Sequence, residues 1–504
     1  MQTKNWWVRN ELRVAWACYL ILASIPLFMH LDAVTFYSWD ESLFAMRTYH
    51  MLEEGAFCYN FNYYEGYGYH PNLKPPLTSI LQIISWKLFG YSALGLRLPI
   101  GLLALLTGGI LVRVFQRRFS AIWTGVLAGL ILVSNTGYIR VHVARSGDQD
   151  VATTLYMLLI FLGFYLFMEA TEEGEKRRYL RLTGLAMAAA LFTKTIFAFL
   201  FLPGFFLYAL YTKQLWSTLR RWDLWVIAGA LVASFALYNV YMEWQSPGFV
   251  EDFIKHALGR YVVIVDQHQE QPFFFYFIRL WKETFWPWVV LLPIPIVLAF
   301  SGREHPYRRL SALAFFCAVT YLLIHSFSKT KLSWYDAPFY PLGATLAAIG
   351  FSLLWKELRS WGTQLVYLPQ ATFLAYFSLL MIMPPYIQTV QSVYMPEINL
   401  LNEKFGEFME KTKKQRPALI DYTVVAKPYN PQASFMATLY NDQFGYQIEV
   451  LDNVKHDYEI GETVLACHRS FLGHLYEHYE LKVVDVLDEC QMLTIRAKKK
   501  EVQD

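Results

Sequence analysis

The sequence predicts an all-α polytopic membrane bundle of about eleven transmembrane helices, followed by a small C-terminal soluble α/β domain. Three observations predict it. Of 504 residues, 55% are apolar and only 17% charged, with mean hydropathy +0.26, where a soluble domain carries about 25% charged residues. Runs without Asp, Glu, Lys or Arg recur at the length that crosses a bilayer, about 20 residues. The last 120 residues have ordinary soluble composition.

In order, the apolar runs are 14–31, 98–112, 119–139, 151–168, 182–193, 195–212, 224–242, 284–302, 310–328, 337–355 and 360–384. The first lacks a small-residue cleavage site and reads as a retained helix rather than a signal peptide. Residues 182–212 as one helix would be about 46 Å long, too much for one crossing, so a break at Lys194 and a return are expected. With eleven spans the connections 1–13, 113–118, 169–181, 213–223, 303–309 and 356–359 share one side and hold 18 Lys and Arg in 54 residues. The first loop opposite, 32–74, holds only Arg47 and Lys74. The positive-inside rule makes the basic set cytoplasmic. The N-terminus is then cytoplasmic, and the segments 32–97, 140–150, 243–283 and 329–336 face outward with everything after 384.

These arguments divide the chain into a membrane domain, 1–384, and an outer α/β domain, 385–504. The latter has strand-like runs at Ala418–Val425, Gln447–Leu451, Leu481–Leu487 and Met492–Ala497, with a helix near Asn399–Lys414. Pro75–Leu96 is semi-apolar and suits the membrane surface. The five cysteines have no metal-type spacing. Cys467 and Cys490 would face a disulfide-permissive compartment, and the sequence leaves their pairing open. No phosphate-loop or dinucleotide glycine motif is present. The basic residues follow membrane topology, so they point to no nucleic-acid partner.

The unusual residues lie in the outer segments, where charge near membrane depth costs roughly 2.5–3.5 kcal/mol per group on insertion scales. Trp39-Asp40-Glu41-Ser42 precedes an amphipathic stretch; position alone leaves open a helix cap by Ser38 or Asp40 or a pair of working carboxylates. Lys74-Pro75-Pro76 puts a lysine just before a helix start, which suits a phosphate or a snorkelling side chain equally. Arg145-Ser146-Gly147-Asp148-Gln149-Asp150 sets an arginine beside two carboxylates, in a salt bridge or a site. Lys329 and Lys331, in a segment ending Trp334-Tyr335-Asp336, run against the positive-inside rule and so favour an anionic partner. His256, Arg260, His268 and Gln271-Pro272 form a weaker set, and histidines twelve apart make no metal site by spacing. Together these groups suit a lipid whose anionic head sits at the interface.

The ordered set Asp40-Glu41, Lys74-Pro75-Pro76-Leu77, Arg145 to Asp150, Thr193-Lys194 and Lys329 to Tyr335 resembles the bacterial relatives of the dolichyl-phosphate-mannose protein mannosyltransferases. These include the lipid A aminoarabinose transferase and have the type-C glycosyltransferase fold; the likeness spans roughly residues 10–350. It implies an inverting transfer from a polyprenyl-phosphate sugar to a lipid, glycan or protein acceptor on the periplasmic face of a bacterial inner membrane. Asp40 would be the essential carboxylate, with Glu41 beside it, and Asp150 or Asp148 the second acidic residue. Lys74, Arg145 and Lys331 would bind the donor phosphate, with Lys194, Lys329, Tyr335, His256 and His268 as further head-group contacts. The aminoarabinose transferase has a glutamate before its motif lysine as part of a metal site. Here that position is Leu73, so the metal is not carried over: the sequence leaves a divalent metal open without supporting one, and no other cofactor is called. The rival reading is a transporter or flippase of lipid-linked glycans, which would need polar groups in mid-span. A membrane scaffold displaying the tail domain would leave the carboxylate and lysine groups unexplained.

Overall fold

The computed structural model describes residues 2–55, 60–61, 70–71, 73–140, 142–264, 270–362, 370–394, 404–427 and 430–499. In chain order the helices are α1 (Gln2–Phe28), α2 (Asp40–Glu53), α3 (Leu77–Phe89), α4 (Ala93–Phe119), α5 (Ile122–Val133), α6 (Asp150–Glu169), α7 (Glu173–Lys194), α8 (Leu202–Tyr211), α9 (Leu215–Leu219), α10 (Trp222–Gln245) and α11 (Phe249–Val262). After them come α12 (Phe275–Arg279), α13 (Pro293–Phe300), α14 (Arg308–Phe327), α15 (Phe339–Gly362) and α16 (Gln370–Tyr394). A short hairpin, β1 (Asn60–Phe61) with β2 (His70–Pro71), lies between α2 and α3. The chain ends in α17 (Phe405–Gln415), β3 (Asp421–Val425), α18 (Pro431–Phe444), β4 (Gln447–Leu451), β5 (Thr463–Ala466), α19 (Arg469–His478), β6 (Tyr479–Leu487) and β7 (Cys490–Lys498).

Helix lies at all eleven expected positions, and six helices among the described residues are long and apolar enough to cross a membrane by length and composition. They are Asn10–Phe28, Ala93–Phe119, Asp150–Glu169, Glu173–Phe199, Trp222–Gln245 and Arg308–Phe327. The others depart for local reasons. The run 119–139 is helical only over Ile122–Val133: Asn135 donates its amide to the carbonyls of Ile131 and Leu132 and accepts the Tyr138 N–H, ending the helix and starting a turn. The run 284–302 belongs to two helical pieces, Phe275–Thr284 and Trp288–Phe300, bent by 111° at the break before Trp288. The break at Lys194 is present. α7 ends there, Thr195 takes φ 44°, a 3-10 turn follows over Thr195–Phe199, and α8 continues from Leu202.

The chain forms two compact units, divided otherwise than by hydropathy. The first comprises Met1–Leu31, Leu73–Leu81 and Arg97–Met395. In it α6 packs along α7, α8 against α14, and α5 between α1 and α15. Small residues allow the close approaches: a Cβ on Gly204 would fall 2.6 Å from the Cys317 Cα, and one on Gly125 2.8 Å from the Val112 Cα.

The second unit comprises Asp32–Asn72, Gln82–Leu96 and Pro396–Asp504, so the segments beside the first and third helices join the tail. Its five-stranded sheet has order β4-β3-β5-β7-β6, with β3 parallel to β4 and β5, and β7 antiparallel to β5 and β6. Crossover helix α18 packs on α2. There Trp86 stacks on Phe435, with ring centroids 6.2 Å apart, Phe36 meets Phe435 edge-on at 4.9 Å, and the Tyr49 hydroxyl donates to Asp442 at 3.0 Å. All four strand-like runs of the tail are strands. β5, α18 and α19 are additional. Cys467 and Cys490 are bridged.

Candidate functional site

In the first unit the proline pair starts α3, as expected, and leaves Lys74 just ahead of it. Lys74 lines a narrow, partly open cleft of about 50 Å³, together with Lys194, His256, Arg260, Tyr335 and the apolar Ile196, Phe197 and Phe253. Each polar group reaches it for a local reason. Lys194 ends α7 and turns its amine to Asp150 at 2.6 Å and over the rings of Phe197 (4.5 Å) and Tyr335 (4.8 Å). Arg260 and His256 are one turn apart on α11, 3.3 Å from each other, and Arg260 donates to the Tyr335 hydroxyl at 2.9 Å. Cationic and apolar side chains share its lining, which suits an anion attached to a hydrocarbon chain.

The segment 329–336 brings Tyr335 to this cleft because it is pinned from several sides. Backbone N–H groups of Lys329 and Thr330 donate to the carbonyls of Tyr261 and Arg260, and the hydroxyls of Tyr276 and Tyr321 donate to the carbonyls of Leu332 and Tyr335. At its end Asp336 is fully buried, 3.1 Å from Arg140 and 3.9 Å from Arg279, and it accepts the Tyr340 hydroxyl at 2.9 Å. Both arginines also donate to the Ser333 carbonyl. Burial pushes the Asp336 carboxyl up from its ordinary value, and the two arginines oppose that shift. Lys331 is buried too, its amine on the Ser328 carbonyl at 2.6 Å, and burial, with Lys329 close by, lowers its pKa from 10.5. Lys329 is exposed.

The turn 145–150 uses its charges in three ways. Arg145 donates to the carbonyls of Pro26, Leu27, Met29 and His30, closing the end of α1, where helix carbonyls lack partners. Asp148 accepts the Ser146 hydroxyl at 2.5 Å and lies 3.5 Å from His142, whose ring stacks on Trp334 at 4.0 Å. Asp150 opens α6 and holds Lys194. His142 and Asp148 are metal-ligand types, and among the described residues of this unit no third His, Cys, Asp or Glu joins them.

In the second unit α2 begins at Asp40, with Trp39 at the N-cap position and φ 73°. Trp39, not Ser38 or Asp40, stands at the cap position. Glu41 is fully buried and accepts the Tyr37 N–H at 2.6 Å, a structural role; Asp40 is half-buried in the first turn.

Of the residues expected at a phosphate, Lys74, Lys194, His256 and Tyr335 line the cleft, while Arg145, Lys329 and Lys331 do not. His268 lies outside the described residues. Arg260 is the group that sequence reasoning ranked too low. Its i,i+4 spacing from His256 on an amphipathic helix was the available signal.

The fold is that of the membrane-embedded type-C glycosyltransferases. Residues 73–241 match the family model of dolichyl-phosphate-mannose-protein mannosyltransferases. Two curated relatives are an uncharacterized protein of Aquifex aeolicus, 28% identical over 61% of this chain, and the undecaprenyl phosphate-alpha-4-amino-4-deoxy-L-arabinose arabinosyl transferase of Shewanella sediminis, 27% identical over 54%. The chain spans about half the length of these relatives, 58% and 49%. Among solved structures, ArnT of Cupriavidus metallidurans bound to undecaprenyl phosphate superposes with TM-score 0.69 at 17% identity, over 96% of this chain and 98% of that one. The oligosaccharyltransferase AglB of Archaeoglobus fulgidus, in complex with an inhibitory peptide and dolichol-phosphate, gives TM-score 0.54 at 12% identity over 83% and 62%. The structural neighbours share the fold of this chain, and the family model matches its residues 73–241.

Proposed function

We propose that this chain is an inverting glycosyltransferase that moves a sugar from a polyprenyl-phosphate donor to a lipid, glycan or protein acceptor on the periplasmic face of a bacterial inner membrane. The observation that carries the reading is the cleft in which Lys74, Lys194, Arg260 and Tyr335 share walls with Ile196, Phe197 and Phe253. A phosphate attached to an isoprenoid chain meets both its cationic and its apolar sides. In the transfer the acceptor oxygen bonds to the anomeric carbon from the face opposite the phosphate. The bond from that carbon to the phosphate oxygen breaks, and its electron pair stays on the phosphate. The lysines and Arg260 stabilise the charge gained by that leaving group, which is greater in the transition state than in the bound donor.

Asp40 takes the role that the family resemblance gives it: it receives the proton of an acceptor hydroxyl, or orients an acceptor that has no proton to lose. Base catalysis contributes about 10²–10⁴ in rate. Asp150 is the second acidic residue and works through Lys194, keeping the amine charged and aimed. The eleven spans, the cytoplasmic N-terminus and the periplasmic second unit are part of the same proposal. The bridge between Cys467 and Cys490 supports an oxidising compartment for that unit.

The test is purified Asp40→Asn protein given a polyprenyl-phosphate sugar and candidate acceptors. Transfer to a hydroxyl acceptor should fall by at least about a hundredfold while lipid phosphate still binds. Parental transfer rates would remove Asp40 from the mechanism. Lipid moved across vesicles by the parent, with no sugar transferred to any acceptor, would favour a flippase instead.

A further inference from the structure

A second cavity of about 460 Å³ lies in the first unit where α7 and α10 begin, lined by Glu173, Arg177, Arg181, Arg221, Trp222 and Asp223. These residues belong to the connections 169–181 and 213–223 or sit at their ends, on the basic side of the bundle. Its charges divide into two sets. Arg221 is saturated: it is bound at two points by Asp223, at 3.0 and 2.8 Å, and by Glu173 at 2.9 Å. Both carboxylates of the cavity are thereby engaged. Arg177 and Arg181 are exposed, one helical turn apart on α7, and neither forms an ion pair among the described residues. Like charges at this spacing repel each other, and an anion between them removes the repulsion.

The surroundings indicate which kind of anion. α10 packs on α7 and α11 but leaves most of its surface uncovered, with only 6% of its apolar window buried. Trp222 is 78% exposed, and Trp216 and Trp225 are also largely exposed. Tryptophans at a helix start beside arginines mark the head-group level of a bilayer. A cavity lined by Trp222 and two arginines at this level suits a lipid head group.

We propose that this cavity binds the head group of an anionic phospholipid, phosphatidylglycerol or cardiolipin. Arg177 and Arg181 hold the phosphate, Trp222 packs on the glycerol and upper acyl region, and the Arg221 ion pairs keep the two helix starts together. The site involves none of the residues given to the donor cleft, and its occupancy does not depend on the transfer reaction.

The experiment is native mass spectrometry of the full chain exchanged into phosphatidylglycerol, cardiolipin or phosphatidylethanolamine, beside the double variant Arg177→Gln/Arg181→Gln. A basic side chain near anionic lipid contributes about 1 kcal/mol, so the double variant should bind anionic lipid about thirtyfold more weakly. Its melting temperature without added lipid should equal the parent's. The parent should retain the two anionic lipids over phosphatidylethanolamine, and inorganic phosphate should not displace them. Tyr335→Phe, altered only in the outer cleft, should retain lipid as the parent does. Equal retention of all three lipids would overturn the proposal, as would a double variant that binds like the parent. Displacement by inorganic phosphate would show a soluble-anion site and would overturn it too.

Discussion

Replacing Arg260 and Tyr335 singly and together tests whether the cleft holds a lipid phosphate. Arg260 donates to the Tyr335 hydroxyl at 2.9 Å, and both line the cleft with Lys74 and Lys194. A hydrogen bond to a charged group is worth about 1.5–3 kcal/mol. Arg260→Gln should therefore weaken polyprenyl-phosphate binding by roughly 10- to 150-fold. Tyr335→Phe keeps the ring that covers Lys194 and removes only the hydroxyl, so its loss should be about 2- to 12-fold. The two side chains touch, so their effects should not add. With Arg260 already gone, removing the hydroxyl should cost less than it does in the parent. The assay is a double-mutant cycle of binding constants from calorimetry in detergent, with a short polyprenyl phosphate and the matching alcohol. The alcohol should bind weakly to all four proteins. If Arg260→Gln binds the phosphate within twofold of the parent, or the cycle closes additively, the cleft is not where the anion sits.

Three further outcomes are expected. Burial and Lys329 hold the Lys331 amine below its ordinary 10.5, so between the lowered value and 10.5 the unfolded chain keeps a proton that the folded chain has released, and stability should rise with pH through that window; melting curves of Lys331→Met should lack that rise. Asp336→Asn leaves Arg140 and Arg279 beside a neutral group and should destabilise the protein by about 3–5 kcal/mol; a melting curve checks this, and donor affinity should fall with it because the same arginines hold Ser333, two residues before Tyr335. Breaking the bridge with Cys467→Ser opens a loop with a sequence separation of 23, so about 3 kcal/mol of stability should be lost, read as a lower melting temperature that reductant reproduces in the parent.

The bundle was legible because transfer of apolar residues to lipid depends on composition and length, which are properties of the sequence itself. The break at Lys194 followed from the same arithmetic, since 31 residues of helix outrun one bilayer. Lys74 and Tyr335 could be named because charge and aromatic groups at membrane depth need a reason to be there. The roles of Arg145, Lys329, Lys331 and Arg260 were not legible. Arg145 closes the end of α1, more than a hundred residues away in sequence, and no local pattern records that it donates to four carbonyls there. Nor does a local pattern tell that Lys331 turns inward to Ser328, or that the segment after α1 joins the tail domain through Trp86 and Phe435.

By itself, then, the sequence determined which segments are apolar enough to lie in lipid and where the rare charges fall, because transfer to hydrocarbon is decided residue by residue. Which of those charges share a cleft and which satisfy a distant backbone was decided only by tertiary structure. Hydrogen bonds and ion pairs act over a few ångströms, and only the folded chain brings their partners that close.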